Sequence, residues 1–236
     1  MKTISEVTKQ NIKQAFYDAE QDKSNLREFE RDLYGFSGAK IRHTINNICS
    51  IKEKMSYLEL GVYRGSTLIA ANFKTNVVQS YGIDDFTIDH KEATPYNPEG
   101  WSNPRIVAED LLERYKKEFS TQTQVKLINS EARKTELSQL RKVDIIHYDL
   151  EEHHAGVEST LRYFLPKFDK HVILLISNWN SAGVRTSYKN FAKTPGLKVE
   201  LVEEKLSSST GNTETWYNGF SASLVSFVDE GETTDA

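Results

Sequence analysis

One twelve-residue stretch, Tyr57-Leu58-Glu59-Leu60-Gly61-Val62-Tyr63-Arg64-Gly65-Ser66-Thr67-Leu68, sets a carboxylate, two glycines and two hydroxyls between apolar runs. Gly61 and Gly65 permit a tight strand-to-helix reversal and a close approach of ligand to backbone. Ser66 and Thr67 fall where the first free N–H groups of a helix need partners. A dinucleotide-binding turn has the spacing Gly-x-Gly-x-x-Gly, and Glu59 stands where its first glycine would fall. A carboxylate there repels a diphosphate and suits a ligand carrying positive charge.

Two more clusters bear chemistry. Ser80-Tyr81-Gly82-Ile83-Asp84-Asp85-Phe86 ends a strand in an acid placed to accept hydrogen bonds from two ribose hydroxyls, or, as the competing reading, to cap the following loop. A one-residue shift of register reverses the face, so Asp85 is the alternative to Asp84. Downstream, Asp149 closes the apolar run 143–149 and is followed by Glu151, Glu152, His153 and His154. Neighbouring residues on a helix diverge by about 100°, so the two histidines do not share one ion. An imidazole with a pKa near ~6.5 is suited to remove an acceptor's proton, and His153 is preferred to His154 for that task. The competing reading of both is exposed polar residues on a first helical turn.

The elements that must position these residues follow from periodicity. Residues 3–54 read as two or three helices, broken at Gly35 and Gly38, with the last beginning near 37–39. Arg42, His43, Asn46 and Asn47 on that last helix are expected on a solvated or capping face, with substrate contact as the alternative. From Tyr57 onward, apolar and amphipathic runs alternate, the pattern of a parallel sheet covered by helices. Strands are expected at 56–60, 77–83, 125–129, 143–149, 171–177, 198–203 and 221–228. Helices are expected at 65–72, 104–119, 135–140, 154–164 and 183–192. The polar connection 204–219 carries no helix, so the chain is expected to end in a hairpin-like pair. The fold class is α/β: a Rossmann-like, seven-stranded, mostly parallel sheet with helices on both faces, an antiparallel last strand and an N-terminal helical extension. Its divisions are 1–54 (helical extension), 55–228 (the sheet domain) and 229–236 (a flexible acidic tail). The long connection 86–104, with His90, Tyr96 and Trp101, reads as either a binding loop or a surface excursion.

Composition narrows the classes. The 236 residues, 38% hydrophobic with five prolines, suit one sizeable domain. Thirty basic against 34 acidic side chains leave a net charge of −4, which draws the chain to neither nucleic acid nor an anionic membrane. Cys49 is the only cysteine, so neither an internal disulfide nor a thiolate metal cluster forms, and its expected place is a helix core. No run reaches the ~20 apolar residues of a membrane span, and no hydrophobic signal core follows Met1; a cytoplasmic location is expected.

Glu59-x-Gly61-x-x-x-Gly65 resembles the first motif, Glu/Asp-x-Gly-x-x-x-Gly, of the class I S-adenosylmethionine-dependent methyltransferases. The amino and sulfonium groups of that cofactor supply the positive charge that Glu59 suits. Asp149-Leu150-Glu151-Glu152-His153-His154-Ala155-Gly156-Val157 resembles Asp-Gly-Asp-His-Ser-Tyr-x-Gly-Val of the small-molecule and sugar O-methyltransferase branch. Leu150 replaces glycine, Glu152 replaces histidine, and His153 and His154 stand where serine and tyrosine are usual. Ser177-Asn178-Trp179-Asn180-Ser181-Ala182-Gly183-Val184-Arg185 resembles Asp-Asp-Trp-Asn-x-x-Gly-Val-Arg.

The resemblance implies cofactor contacts from Glu59, Gly61, Gly65, Ser66, Thr67, Asp84 or Asp85, and Asp149. It places Ser130 and Glu131 at the adenine edge, where a helix N-terminal cap is the equal alternative. Asp149, His153 and His154 become the catalytic candidates. Magnesium in metal-dependent members is held by the acids whose places Ser177 and Asn178 take here, so Asp149 and Asn178 are weak metal candidates with one certain negative charge between them. Trp179 reads equally as core or as substrate platform. The implied partner is a small-molecule acceptor, a sugar or secondary-metabolite hydroxyl, with no nucleic acid or membrane; the oligomeric state stays open, a homodimer included. A cofactor-binding module without turnover and a nucleotide-dependent oxidoreductase are the rival classes.

Overall fold

The computed structural model of the chain describes residues 4–87, 103–120, 122–150, 156–208 and 211–228. In chain order the elements are α1 (Ile4–Glu20), α2 (Glu28–Arg31), α3 (Ala39–Ile48), β1 (Met55–Leu60), α4 (Ser66–Asn72), β2 (Val77–Asp84), α5 (Pro104–Tyr115) and β3 (Gln124–Asn129). They continue with β4 (Val143–Tyr148), α6 (Gly156–Phe164), β5 (Phe168–Ser177), α7 (Ala182–Phe191), β6 (Leu197–Lys205) and β7 (Phe220–Phe227). The strands form one sheet in the order β3-β2-β1-β4-β5-β7-β6. β7 runs antiparallel to both of its neighbours, and the pairs from β3 to β5 are parallel.

Alternation along the strands divides the core into two layers. Leu58, Leu60, Ile146, Leu174 and Ile176 face α6 and α7, where Val157, Leu161, Phe164, Val184 and Phe191 meet them. Tyr57, Ile145, Ile173 and Leu175 face the other way, against Ile12 and Phe16 of α1, Ile41, Ile45 and Ile48 of α3, and Leu68 of α4. The N-terminal helices therefore cover one side of the sheet. Cys49 is fully buried in that layer.

Local chemistry explains where the helices begin. Pro104 occupies the first turn of α5, and the Asn103 side chain accepts a hydrogen bond from the Arg105 amide. Ser181 caps α7 in the same manner through the Val184 amide. Gly65, with φ of 84°, carries the chain into α4 through the left-handed region.

Three expectations require correction. The helix expected over 135–140 is two single turns of 3₁₀ helix, Ala132–Lys134 and Leu137–Gln139, in a stretch too short to propagate an α-helix. α5 ends at Tyr115 and tightens into a 3₁₀ turn over Lys116–Glu118. The face carrying Arg42, His43 and Asn46 is buried, because α3 packs between α1 and α4. Asn46 donates to the carbonyls of Ala70 and Phe73, both at 2.8 Å. His43 accepts or donates at Ser24 Oγ, 2.8 Å away, and burial pulls its pKa down to about 4, so it is neutral at pH 7. The loop residues His90, Tyr96 and Trp101 and the tail lie outside the described residues.

The β6–β7 connection folds back over the N-terminal helices. Ala39 donates its amide to Thr213 O at 2.7 Å, and Trp216 stacks on Phe16 with ring centroids 5.3 Å apart. Contact at Gly38 is close enough that an added Cβ would lie 1.9 Å from Thr215 O. Gly38→Ala is therefore expected to lower the unfolding free energy by about 1–3 kcal/mol in urea denaturation. Unchanged stability would show that the connection does not need this approach.

Candidate functional site

The turn between β1 and α4 lies at the carboxyl ends of the parallel strands, where ligands bind in open α/β sheets. Gly61 has φ of 92°, and a Cβ there would fall 2.2 Å from Asp149 O, so only glycine lets the turn lie on the end of β4. Asp84 holds the turn from the other side. Its Oδ2 accepts from the amides of Val62 and Tyr63 at 2.7 Å each, and its Oδ1 accepts from Phe86 N at 2.6 Å. These bonds support the left-handed conformation of Tyr63, whose φ is 49°. Asp85 instead turns back on Thr87 and accepts from its amide and hydroxyl.

Glu59 is 0% exposed. Its Oε1 accepts from Thr67 Oγ1 at 2.8 Å and its Oε2 from the Tyr57 hydroxyl at 2.6 Å. Through Thr67 it is tied to the start of α4. Ser66 and Thr67 both lie buried in the first turn of α4.

Beside Glu59 lies His147, a residue that motif reading passed over. The two are register partners on β1 and β4. His147 Nδ1 is 3.2 Å from the Tyr57 hydroxyl and 3.6 Å from Glu59 Oε2; its Nε2 is 2.9 Å from Ser177 Oγ and 3.9 Å from Asp149 Oδ2. A polar seam thus runs from β1 through β4 to β5. A signal for it was present: Tyr57 and Glu59, His147 and Asp149 each stand two apart in otherwise apolar strands, which places each pair on one face.

Charge in the seam is strongly coupled. Burial disfavours the His147 imidazolium, but the Glu59 hydrogen bond and the charges of Asp149 and Glu59 outweigh it and hold the pKa above the ordinary histidine value. Burial pushes the Asp149 carboxyl up to about 6, with the charges of Glu59 and Asp84 adding to the effect and His147 and Ser177 opposing it. The Tyr57 hydroxyl is raised by burial and by Glu59, so it remains a donor.

The remaining candidates scatter. Ser130 donates its amide to Asp84 O at 3.0 Å and so sits beside the strand end that holds the turn. Glu131 points to Lys134, 2.6 Å away, and its side chain caps no helix. Asn178 adopts φ of 58° and its Oδ1 accepts from Asn218 at 3.2 Å; Trp179 is buried edge-on against Tyr188 as core. No group of three His, Cys, Asp or Glu among the described residues could hold a metal ion. His153 and His154 lie outside the described residues.

The strand order, with an antiparallel β7 between β5 and β6, is that of a Rossmann-like methyltransferase fold. Among solved structures the chain is similar to the O-methyltransferase from Bacillus cereus in complex with SAH, at 13% identity over 96% of this chain and 92% of that one, with a TM-score of 0.55. It is also similar to SAH-bound PaMTH1 from Podospora anserina, at 14% identity over 96% and 94%, with a TM-score of 0.53. Trm5b from Pyrococcus abyssi matches at 16% identity and a TM-score of 0.52 over 80% of this chain; the chain spans about half of that protein, 49%. No family model and no curated protein matches the chain.

Asp149 yields a pH prediction. Its folded pKa of about 6 lies above the ordinary 3.8, so the stability associated with its protonated form is complete below about pH 4 and is lost as pH rises through 6. The raised pKa of His147 acts in the same direction at higher pH. Asp149→Asn, which stays neutral, is expected to gain stability relative to the parent between pH 4 and 7, by on the order of 2 kcal/mol. Urea denaturation at pH 4, 5.5 and 7 checks this; a constant difference across the series would remove the buried-carboxyl assignment.

Proposed function

We propose that the chain is an S-adenosylmethionine-dependent methyltransferase that acts on the hydroxyl of a small-molecule acceptor. The observation that carries this reading is the Gly61–Gly65 turn, pinned between the Asp84 carboxylate and the Asp149 backbone at the carboxyl edge of a sheet of this order. The residues fit the cofactor's chemistry. Strand-end carboxylates beside a tight glycine turn suit a ligand with ribose hydroxyls and a cationic centre. That ligand, when bound, supplies an electrophilic methyl group.

The chain's own part in the reaction is placement. Asp84 fixes the turn and, with its remaining lone pairs, accepts from ribose hydroxyls; Asp85 is the fallback. Ser66, Thr67 and Glu59 hold the start of α4, and Ser130 and Glu131 border the adenine edge. Alignment of an acceptor oxygen with the methyl carbon supplies much of the rate. His153, or His154, takes the acceptor's proton, and Asp149 stands at the strand end that precedes them.

Magnesium is less well supported. Ser177 Oγ bonds to His147 and Asn178 Oδ1 accepts from Asn218, which leaves Asp149 as the one anionic oxygen donor at these three positions. That same observation favours the second reading, a domain that keeps the cofactor pocket without turnover. Similar solved structures include one named as an RNA methyltransferase, from Pyrococcus horikoshii, and one named as a precorrin-6y methyltransferase, from Geobacter metallireducens, and the net charge of −4 favours a small-molecule acceptor. No helix among the described residues is long and apolar enough to cross a membrane; a cytoplasmic location accords with the single cysteine.

Calorimetric titration with S-adenosylmethionine and S-adenosylhomocysteine, with magnesium and with chelator, tests the reading. Micromolar binding independent of chelator is expected, and no binding of either ligand would overturn it. Asp84→Ala should weaken binding roughly tenfold to a hundredfold, the ~1.5–3 kcal/mol of charge-assisted hydrogen bonds. His153→Ala should leave binding intact and reduce turnover; full activity would remove it as the base.

A further inference from the structure

A cavity of about 550 Å³ opens between the α1–α2 connection, the α2–α3 connection, the first turn of α3 and the β6–β7 connection. Arg31, Asp32, Tyr34, Lys40, Arg42 and Glu214 stand among its walls. Their charges pair off unevenly. Arg31 forms a two-pronged pair with Asp32, both contacts at 2.7 Å, and Lys40 pairs with Asp22 at 2.7 Å. Glu214 is exposed at the rim. Arg42 remains: it is 2% exposed, it donates from Nε to Arg31 O at 2.6 Å and from Nη1 to Ser37 O at 2.9 Å, and it has no ion-pair partner among the described residues.

A guanidinium in this position has left water for neutral carbonyls alone. Buried charges persist when they are paired, and an unpaired one is costly. Burial pulls the Arg42 pKa down to about 10, with the charge of Asp32 opposing, so it stays cationic at neutral pH. Asp32 is already committed to Arg31. The two carbonyls orient the guanidinium plane and leave Nη2 for an occupant of the cavity, and a planar fork matches the oxygens of a carboxylate or phosphate.

The cavity also abuts the glycine turn. A Cβ added at Gly35, in its wall, would lie 2.3 Å from Ser66 Oγ at the start of α4, and Arg64 lies over the Tyr34 ring at 4.9 Å. Tyr34 and Gly35, which line the cavity, thus touch the turn assigned to the cofactor and the start of α4. We propose that this cavity receives the methyl acceptor and that Arg42 anchors an oxyanion, carboxylate or phosphate, carried by that acceptor. The acceptor role rests on the methyltransferase reading; the anion site does not.

Titration of the whole chain with inorganic phosphate and, separately, with acetate at constant ionic strength and without cofactor tests the site. Saturable binding of at least one anion is expected, and the tighter of the two names the oxyanion. Arg42→Gln should weaken it tenfold or more. Glu214→Lys, an exposed change at the mouth that does not threaten the fold, should tighten it severalfold and decides the matter if Arg42→Gln fails to fold. No saturable binding by the parent, or equal affinity in the parent and in Glu214→Lys, overturns the site. Arg42-dependent anion binding in a protein that ignores S-adenosylmethionine supports the anion site and overturns its acceptor role. Cofactor binding without anion binding overturns this inference alone.

Discussion

A carboxylate with no access to solvent sits at the centre of this protein, and its neighbours are arranged to make that tolerable. Both oxygens of Glu59 are taken, one by Thr67 at the start of α4 and the other by Tyr57 on its own strand, with His147 of β4 beside them. An ionised carboxylate in this position without those partners would be destabilising by several kcal/mol. The bonds therefore specify register as well as offset burial. A one-residue slip of β1 would turn Glu59 toward the apolar layer of Leu58 and Leu60, where nothing satisfies it.

Register then fixes the turn. With Glu59 opposite His147, the chain after Leu60 meets the end of β4, and the amide of Asp149 bonds to Leu60 O at 2.8 Å. Gly61 must follow at a point where a side chain would strike the Asp149 carbonyl. The turn has little freedom left: β4 limits it on one side and Asp84 holds its amides on the other. Such constraint holds the turn in one position against the strand ends.

Much of this was legible in the sequence. Seven strands were readable because each is an apolar or alternating run bounded by polar or glycine-rich segments, and β1, β2, β3 and β4 each fall within about a residue of the expected bounds. The glycine turn was readable because only glycine serves at Gly61. What sequence periodicity could not supply was depth. Arg42, His43 and Asn46 read as a solvated face, since on an isolated helix polar side chains mark solvent; here α1 and α4 cover both flanks of α3, Arg42 and Asn46 meet backbone carbonyls, and His43 meets the Ser24 hydroxyl. His147 escaped notice because attention to motifs favours residues at strand ends, and its partners lie on other strands. Ser130 and Glu131 were read as one pair, yet the structure separates them: Ser130 stays on the strand end while Glu131 turns outward to Lys134.

The two departures at the exit of β5 become coherent through the same polar seam. An acid at position 177 would add a negative charge beside His147 and Asp149, where two carboxylates already act on one imidazole. A serine bridges instead: its hydroxyl meets His147 Nε2 and opposes the rise of the Asp149 pKa. At 178, the backbone enters the left-handed region, which asparagine tolerates better than most residues, and its amide ties the strand exit to Asn218 of the β6–β7 connection. That connection in turn lies on Gly38 and bonds to the first turn of α3, the helix that carries Arg42. Ser177 and Asn178 thus give mechanical continuity from the buried Glu59 carboxylate, through the strand exit, to the wall of the cavity beside the turn.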